Sequence, residues 1–430
     1  MIAKIEDDLR RLQKLRVIEP VETAEFGATS IVPVPKPNGA VRICGDFKVT
    51  TNTYADMQHY PLPHFEELRA ALAGGKIFSK VDLADAHLQL EVDSESRKYL
   101  VLSTQKGLFR FTRLPFGFYG APAIFQSAID SILQGLPGVV AYLDDILVTG
   151  TTEAEHLDRL RALFTRLRQA GLKHKREKCQ FCRESLTYLG HVIDANGTRP
   201  DPETLRAIVD CPVPKDASQL RSFLGMVNYY GKFVPNLSTA AGSLYNLTKK
   251  DVKFCWTQAH QMAFDSLKRI LVSDKLLAHY DPYLILGISA DASSYGIGAV
   301  LFHIEPNGVE RPIYYSSRVL SDAEKNYSQV EKEGLAIIFA MKRFQRFVTG
   351  RHFFLFTDHR PLLKIFGQQE STPSTTSARL QRWSLLSAPL ITRLRLRSRL
   401  IMRTPTDSLV ILLTQARAWI WRSPAFSTKC

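Results

Sequence analysis

The sequence predicts an α+β protein with more than one domain. Its 430 residues are more than one ordinary hydrophobic core holds. Up to about residue 194, short apolar strands bounded by Gly- and Pro-containing turns alternate with single helices. Residues 201–275 have mainly helical periodicity, and two strands, a long helix and another strand follow from residue 284. These changes of pattern predict separate domains.

The chain is predicted to begin with a helix and a hairpin. Residues 1–20 have the mixed charge of an amphipathic helix that ends at Pro20, which excludes a signal peptide. Residues 30–44 then form two strands around a Pro-Asn-Gly turn. Lys36 and Arg42 flank this turn, where they are either solvated cations or ligands of an anion.

Three carboxylates lie in apolar strands. Asp144 and Asp145 interrupt the apolar run 139–148, and Asp82 lies near the end of the strand 77–83. Burial of ionised carboxylates is costly unless a cation compensates them. The arrangement therefore predicts a phosphoryl-transfer site with two Mg²⁺ ions about 3.5–4 Å apart. For the Asp-Asp pair taken alone, a solvated acidic turn is the alternative.

The remaining elements follow from periodicity and turn residues. In the first 275 residues, the pattern predicts helices at 65–72, 153–170, 202–210, 217–230 and 257–271, and a hairpin strand at 186–193. Ser218 is predicted as the N-cap of the helix at 217–230. In the last part, it predicts strands at 284–293, 296–302 and 353–356 and a helix that opens at 331–333.

Several short blocks, in this order and spacing, resemble reverse transcriptases. The blocks are Val81-Asp82-Leu83-Ala84, Leu114-Pro115-Phe116-Gly117, Ala121-Pro122-Ala123-Ile124-Phe125-Gln126 and Tyr142-Leu143-Asp144-Asp145. Leu189-Gly190-His191 and Leu220-Arg221-Ser222-Phe223-Leu224-Gly225 narrow the resemblance to the polyprotein of gypsy-type LTR retrotransposons. It covers roughly residues 1–390.

The resemblance implies a right-hand polymerase (fingers, palm, thumb) followed by a ribonuclease H-like α/β domain that is truncated at its C-terminus. The implied domains are 1–80 (fingers with part of the palm), 81–198 (palm with the remaining fingers), 199–279 (thumb and tether), 280–390 (ribonuclease H-like) and 391–430 (an altered tail).

The implied activity is RNA-directed and DNA-directed DNA synthesis. The expected partners are RNA and DNA template–primers and deoxynucleoside triphosphates, with two Mg²⁺ ions per active site, or Mn²⁺ in their place. The resemblance assigns catalysis and metal binding to Asp82, Asp144 and Asp145, nucleotide binding to Lys36, Arg42, Asp85, His87 and Phe116, and a primer grip to Leu189 and Gly190.

The second implied site is that of a ribonuclease H. The resemblance assigns Asp291, Glu333 and Asp358 to catalysis and to metal binding. Glu331 is less suited than Glu333, because the apolar helix run follows Glu333. Such a site uses two Mg²⁺ ions to activate water for cleavage of the RNA strand of a hybrid.

Two positions depart from the family pattern. His87 stands where Tyr or Phe is usual, which puts discrimination against ribonucleotides in doubt. Tyr119-Gly120 stands where Lys-Asn is usual. His191 in the Leu189-Gly190-His191 block is expected to have a structural or backbone-contact role, with a catalytic base as the alternative.

The C-terminal residues break the pattern. From Ile391 the chain alternates Leu or Ile with Arg, and residues 391–430 carry eight Lys/Arg and one acidic residue, half of the formal net charge of +14. A frame two bases downstream accommodates Asn-Ala-Asp-Gly-Leu-Ser-Arg, the family's ending, whose Asp is the fourth ribonuclease H carboxylate. We therefore expect a frameshifted tail that lacks the last strand and helix, with weak or absent hybrid cleavage; a natural divergent tail is the alternative.

Composition limits the other classes. Hydrophobic content of 45% and charged content of 23% are those of a soluble globular protein, expected in the cytoplasm or in a virus-like particle. The sequence has no membrane-spanning stretch. Cys179-x-x-Cys182 lacks the second pair of a zinc site.

The competing functional hypothesis is a decayed element that binds nucleic acid without catalysis. An RNA-dependent RNA polymerase would not carry a ribonuclease H domain.

Overall fold

A computed structural model describes residues 2–36, 39–55, 60–273, 276–367, 377–387 and 393–396. The chain divides into two compact units, residues 1–186 and 187–430. The mixture of helices and sheets confirms the α+β class.

The first unit contains two sheets with helices packed against them. Its helices are α1 (Ile2–Lys14), α2 (Thr51–Tyr54), α3 (Phe65–Ala71), α4 (Ala121–Leu133) and α5 (Glu153–Gln169). Its strands are β1 (Ile18–Val21), β2 (Thr29–Pro35), β3 (Val41–Gly45), β4 (Ile77–Asp82), β5 (Val101–Thr104), β6 (Gly107–Phe111), β7 (Val139–Tyr142), β8 (Asp145–Gly150) and β9 (Gln180–Arg183). One sheet has the order β1-β6-β5-β2-β3 and the other β7-β8-β4-β9.

Two cores stabilise these sheets. The apolar faces of α4 and α5 pack on the second sheet through residues such as Phe125, Leu163 and Ile146, and α1 packs on the first sheet through Leu9 and Leu12. This packing fixes the ends of β4 and β8, where Asp82 and Asp145 lie.

The predicted helix over residues 1–20 is wrong beyond Lys14. The helix ends there, Arg16 takes a positive φ of 56°, and Ile18–Val21 form β1, antiparallel to β6. β-branched Val17 and Ile18 favour a strand, and Pro20 disfavours helical geometry at Glu19.

The second unit combines small helices with two sheets. The first sheet contains β10 (Ser185–Tyr188), which begins just before the unit boundary, with β11 (His191–Asp194) and β12 (Gly197–Pro200). A helical segment follows, with α6 (Pro202–Val209), α7 (Ala217–Tyr229), α8 (Leu237–Ala240), α9 (Gly242–Asn246) and α10 (Gln258–Val272). The second sheet, of order β15-β14-β13-β16-β17, comprises β13 (Ile285–Ala292), β14 (Gly296–Ile304), β15 (Glu310–Val319), β16 (Phe353–Thr357) and β17 (Arg393–Leu396). The helices that accompany this sheet are α11 (Asp322–Lys325), α12 (Gln329–Val348), α13 (Arg360–Phe366) and α14 (Ala378–Ser387).

Two local predictions in this unit are wrong. Residues 186–193 form two strands instead of one, because Leu189 and Gly190 both take positive φ and turn the chain. The N-cap of α7 is Asp216, whose carboxylate accepts a hydrogen bond from Gln219 N at 2.8 Å, so Ser218 lies inside the helix.

The helical segment and the second sheet of this unit share hydrogen bonds. Leu277 pairs with Thr198 of β12 through two backbone hydrogen bonds, and the next residue, Ala278, donates to Pro312 O in β15 at 2.8 Å. The amide of Ser238 in α8 donates to Ser317 Oγ at 2.9 Å. Leu277 and Ala278 therefore connect the β10–β12 sheet to the β13–β17 sheet through backbone hydrogen bonds.

The frameshift hypothesis expected no strand beyond β16. The structure places Arg393–Leu396 parallel to β16 as β17, and Arg395 lies over the Phe354 ring at 4.1 Å. The rest of the tail, residues 397–430, lies outside the described residues. None of the described helices combines the length and the apolar composition of a membrane span.

Candidate active sites

Asp144 lies in a tight hairpin turn that faces Asp82. β7 and β8 pair in antiparallel register up to Tyr142 and Asp145, so Leu143 and Asp144 alone form the turn. On the other side of β8, Asp82 lies directly opposite Asp145, and Leu83 N donates to Asp144 O at 2.8 Å. We call Asp82, Asp144 and Asp145 the hairpin carboxylates. The structure brings them to one end of the sheet, as the sequence predicted.

Gln126 holds this turn in place. Its side chain is fully buried; Oε1 accepts a hydrogen bond from Leu143 N at 2.8 Å, and Nε2 donates to Ala141 O at 3.0 Å. Leu143 has a positive φ of 53°, a conformation that costs a residue with a Cβ atom about 1 kcal/mol. The amide of Gln126 offsets this cost, because it satisfies one backbone group in the turn and one in the strand before it.

Lysines balance the charge of two hairpin carboxylates. Lys80 Nζ lies 2.8 Å from Asp145 Oδ2, and Lys178 Nζ lies 3.3 Å from Asp82 Oδ2. Burial raises the pKa of Asp145; the Lys80 pair opposes this rise, and the neighbouring Asp144 and Asp82 charges add to it. Asp144 is exposed.

A cleft of about 1140 Å³ opens in front of the hairpin carboxylates. Asp82, Asp144 and all five residues assigned to nucleotide binding line it: Lys36, Arg42, Asp85, His87 and Phe116. Asp145 is not among the lining residues. The Arg42 guanidinium lies over the Phe116 ring at 4.4 Å, and its buried Nε has no hydrogen-bond partner among the described residues. A cationic donor that lacks a partner in such a cleft is suited to bind an anion.

His87 is packed inside this cleft. Its ring lies 5.3 Å from the rings of both Phe116 and Phe125. Burial lowers the pKa of His87, and the Arg42 charge lowers it further against the effect of Asp144. The neutral imidazole is therefore favoured, with the two aromatic rings around it.

Sequence reasoning missed the contribution of α1 to the cleft. Arg11 donates to Asp85 Oδ2 at 3.0 Å and to Asp8 Oδ1 at 2.8 Å, and Asp8 in turn accepts from Ile43 N at 3.0 Å. Burial raises the pKa of Asp85, but the hydrogen bond and charge of Arg11 outweigh it, so the net shift is downward. A salt bridge across 74 residues of chain leaves no local pattern that could have predicted it.

The predicted primer grip is a turn supported by aromatic side chains. Tyr229 donates to Leu189 O at 2.6 Å, and Tyr230 donates to Gly190 O at 2.9 Å. The buried His191 ring lies 5.4 Å from Tyr229 and 5.5 Å from Tyr230. His191 therefore packs beneath the turn, as expected of a structural residue.

A second carboxylate group lies at the edge of the β13–β16 pair. β13 and β16 are parallel, so Asp291 in β13 and Asp358 after β16 lie at the same edge, and α12 places Glu333 beside them. One oxygen of each of these three residues, which we call the sheet-edge carboxylates, lies within 4.8 Å of the others. Among the described residues, no other group of three acidic, His or Cys side chains converges in this way.

Glu333 has an unusual environment. It is 3% exposed, Gln329 Nε2 donates to its Oε1 at 2.7 Å, and its Oε2 has no hydrogen-bond partner among the described residues. Burial raises its pKa to about 7, and the charges of Asp291 and Asp358 add to the rise.

Glu331 lies outside this group. Its carboxylate accepts hydrogen bonds from Arg379 at 2.9 Å and from Ser328, so it anchors α14 and caps α12. Glu333 lies with Asp291 and Asp358 whereas Glu331 does not, in line with the expectation that Glu333 is the better suited metal ligand of the two.

Both carboxylate groups fit divalent cations in their chemistry. All their donors are carboxylate oxygens, the ligands that Mg²⁺ prefers. The free oxygen of Glu333 supports this fit directly. The hairpin carboxylates lie less close together than the sheet-edge group, and Lys80 and Lys178 partly neutralise them. Cys179 and Cys182 are free thiols outside any such group among the described residues.

Comparisons with known proteins match both regions. Residues 34–193 match the family model "Reverse transcriptase (RNA-dependent DNA polymerase)", and residues 256–355 match "RNase H-like domain found in reverse transcriptase". The retrovirus-related Pol polyprotein from transposon 297 of Drosophila melanogaster is 34% identical over 386 residues, which is 88% of this chain and 35% of the relative. The chain carries a reverse transcriptase domain and a ribonuclease H-like domain, and its relatives are retrotransposon polyproteins.

Other relatives of the chain are also transposon polyproteins. The transposon Tf2-3 polyprotein of Schizosaccharomyces pombe is 34% identical over 85% of this chain and 27% of its own length. The chain thus spans about a third of the curated relatives that it matches.

Solved structures support the fold of both domains. A foamy viral protease–reverse transcriptase, solved in complex with double-stranded DNA, has a TM-score of 0.82 and 25% identity over 93% of this chain and 83% of that one. A second foamy viral structure, also with double-stranded DNA, has the same TM-score over 92% of this chain and 69% of that one. The chain therefore has the right-hand polymerase fold with a ribonuclease H-like domain.

Proposed function

We propose that this chain synthesises DNA on RNA and DNA templates by two-metal phosphoryl transfer. The observation that carries the proposal is the pairing of Asp82 with the Asp144–Asp145 hairpin at a cleft that Arg42 and Lys36 also line. Two Mg²⁺ ions held by the hairpin carboxylates would lower the pKa of the primer 3′-hydroxyl and neutralise the charge on the triphosphate.

The protein groups around the cleft have separate tasks in this proposal. Arg42 and Lys36, which both line the cleft, bind phosphate oxygens of the incoming nucleotide. His87 and Phe116 form the apolar wall against the nucleotide sugar. The Leu189–Gly190 turn holds the primer strand.

Primer extension on poly(rA)/oligo(dT) with Mg²⁺ tests this proposal. We expect incorporation of dTMP by the wild-type chain and none by Asp144→Asn. Equal incorporation by the two proteins would refute it. Binding of template–primer by both proteins with synthesis by neither would favour the decayed, non-catalytic alternative.

We propose a ribonuclease H activity for the sheet-edge carboxylates. Asp291, Glu333 and Asp358 would hold Mg²⁺ ions, which activate water for attack on the RNA strand. Cleavage of a labelled RNA/DNA hybrid by the wild-type chain, and its loss in Asp291→Asn, is the expected result. Cleavage by both proteins would show that another nuclease is responsible, and cleavage by neither would refute the activity for this chain.

A further inference from the structure

The first turn of α12 is anchored from outside the helix. Ser328 caps it: the Oγ and the backbone N–H of Ser328 both donate to the Glu331 carboxylate, and Glu331 N donates back to Ser328 Oγ. Arg379 of α14 donates to the same carboxylate at 2.9 Å, and its guanidinium lies over the Tyr327 ring at 3.9 Å. These contacts fix the backbone at Gln329, the residue that follows the cap.

Gln329 joins two elements that carry sheet-edge carboxylates. Its Nε2 donates to Glu333 Oε1, one turn further along α12, at 2.7 Å, and to Ala292 O at 3.2 Å. Ala292 follows Asp291 in β13, so a single amide group links the helix of Glu333 to the strand of Asp291. The bond to Ala292 crosses 37 residues of chain.

This link leaves the second oxygen of Glu333 for another partner. Oε1 accepts from Gln329, whereas the buried Oε2 has no hydrogen-bond partner among the described residues. One oxygen each of Asp291, Glu333 and Asp358 lies within 4.8 Å of the others, and like charges at this distance repel one another unless a cation compensates them. The Gln329 amide resists this repulsion, because the Glu333 side chain cannot rotate away without loss of its hydrogen bond.

We propose that Gln329 is a positioning residue of the ribonuclease H site, which holds Glu333 beside Asp291 before a divalent cation binds. Ligands that are already ordered bind a cation more tightly, because less side-chain freedom is lost on binding. Hydrogen-bond partners of metal ligands contribute about 10–100-fold to metal affinity or activity. The inference rests on the proposed ribonuclease H function and deepens it.

Binding of Mn²⁺ to the full chain at pH 8, followed by the electron paramagnetic resonance of the free ion, tests this inference. Asp291→Asn identifies the share of bound Mn²⁺ that belongs to the sheet-edge carboxylates. For that share, we expect Gln329→Leu to weaken binding about tenfold. Gln329→Asn, whose amide is one methylene shorter, should weaken it similarly. The control is Gln345→Leu, which removes an exposed glutamine near the other end of α12 and should bind Mn²⁺ as wild type does.

Two further measurements separate positioning from other roles of Gln329. Hydrogen exchange in the middle of α12, residues 335–341, should be as slow in Gln329→Leu as in wild type. Affinity for an RNA/DNA hybrid in EDTA should also stay the same. Faster exchange in the variant would overturn the inference, because Gln329 would then act through the fold. Weaker hybrid binding with unchanged Mn²⁺ binding would overturn it as well, because Gln329 would then contact the substrate.

The outcomes distinguish this inference from the proposed function. Equal Mn²⁺ binding by Gln329→Leu and Gln345→Leu would overturn the positioning role alone and would leave hybrid cleavage by wild type unaffected. If wild type binds Mn²⁺ at the sheet-edge carboxylates without cleaving the hybrid, the proposed activity fails, and the Mn²⁺ affinities still decide the positioning role. If Asp291→Asn removes no bound Mn²⁺, both fail.

Discussion

The side-chain amide of Gln126 and the backbone N–H of Leu143 are joined by a 2.8 Å hydrogen bond. This bond crosses 17 residues of chain and connects α4 to the turn that carries Asp144. The position of the turn that carries Asp144 therefore depends on a residue that does not line the cleft. Gln126 is a positioning residue in this account.

Gln126→Leu should slow nucleotide incorporation with little change in nucleotide affinity. The substitution leaves Leu143 N and Ala141 O without their buried partner, which costs about 1–3 kcal/mol in the free energy of unfolding and loosens the turn. We expect kcat to fall about 10–100-fold while KM for the nucleotide stays within about twofold. Steady-state primer extension measures both. Gln134→Leu, an exposed glutamine just beyond α4, is the control and should behave as wild type. A kcat for Gln126→Leu equal to that of the control would refute the positioning role.

Arg11→Gln should weaken nucleotide binding. Arg11 neutralises Asp85 in the cleft, so its loss leaves an anion that repels the triphosphate. We expect KM for the nucleotide to rise about five- to tenfold with a smaller change in kcat. Arg10→Gln removes a neighbouring cation that pairs with Glu6 and Asp7 on the surface of α1, and it should leave KM unchanged. Equal KM values for the two variants would exclude this role.

Glu333 and Glu331 should have opposite effects on stability as the pH changes. Because the folded-state pKa of Glu333 is raised from 4.5 to about 7, its contribution is full below pH 4.5 and is lost as the pH rises through 7. The pKa of Glu331 is lowered: burial opposes the shift, but the Ser328 hydrogen bonds and the Arg379 charge outweigh it. Its contribution is therefore present above pH 4.5 and is lost on acidification.

Thermal unfolding in EDTA between pH 4 and pH 8 measures both effects. We expect Glu333→Gln to raise the Tm relative to wild type at pH 8, and Glu331→Gln to lower it there. Added Mg²⁺ should stabilise wild type at pH 8 more than Glu333→Gln, since a cation compensates the buried carboxylate. Parallel Tm curves for the two variants would contradict the assignment.

Gly298→Val should weaken the packing of α8 on the β13–β17 sheet. A Cβ atom at Gly298 would lie 2.2 Å from Asn236 Oδ1, which belongs to the segment that opens α8. We expect the free energy of unfolding to fall by about 1–3 kcal/mol. We also expect faster hydrogen exchange at the amide of Ser238, which donates to Ser317 Oγ. Gly242→Ala has open space around its Cβ atom and serves as the control. Unchanged exchange at Ser238 in Gly298→Val would show that this contact does not connect the two parts.

Sequence patterns predicted most elements that carry the sites. Apolar runs and turn residues located β4, β8, β13 and β16, and with them the strand-borne aspartates Asp82, Asp145 and Asp291. Two apolar strands that each carry an acidic residue predicted that Asp82 and the Asp144–Asp145 pair belong to one site, whereas the cross-strand pairing of Asp82 with Asp145 was seen only in the structure.

These local patterns could not predict contacts between residues that are far apart in the chain. Lys178 and Asp82 are 96 residues apart, and neither α1 nor Gln126 has a local feature that points to the cleft or to the turn. The turn at Leu189–Gly190 was missed because alternation of apolar residues continues through it, whereas Tyr229 and Tyr230 hold it from α7 and its end. The roles assigned to individual site residues stay predictions until variants test them.

Single-turnover nucleotide incorporation by Asp82→Asn and Asp144→Asn shows whether these two carboxylates act in one catalytic site. Both variants keep the size of the side chain and lose its charge, so template–primer affinity should stay within about threefold of wild type while incorporation falls by about 10³-fold or more. Asp93→Asn, an exposed aspartate of the same unit, should incorporate at the wild-type rate. Wild-type incorporation by either the Asp82 or the Asp144 variant would contradict the claim that these two carboxylates form one catalytic site.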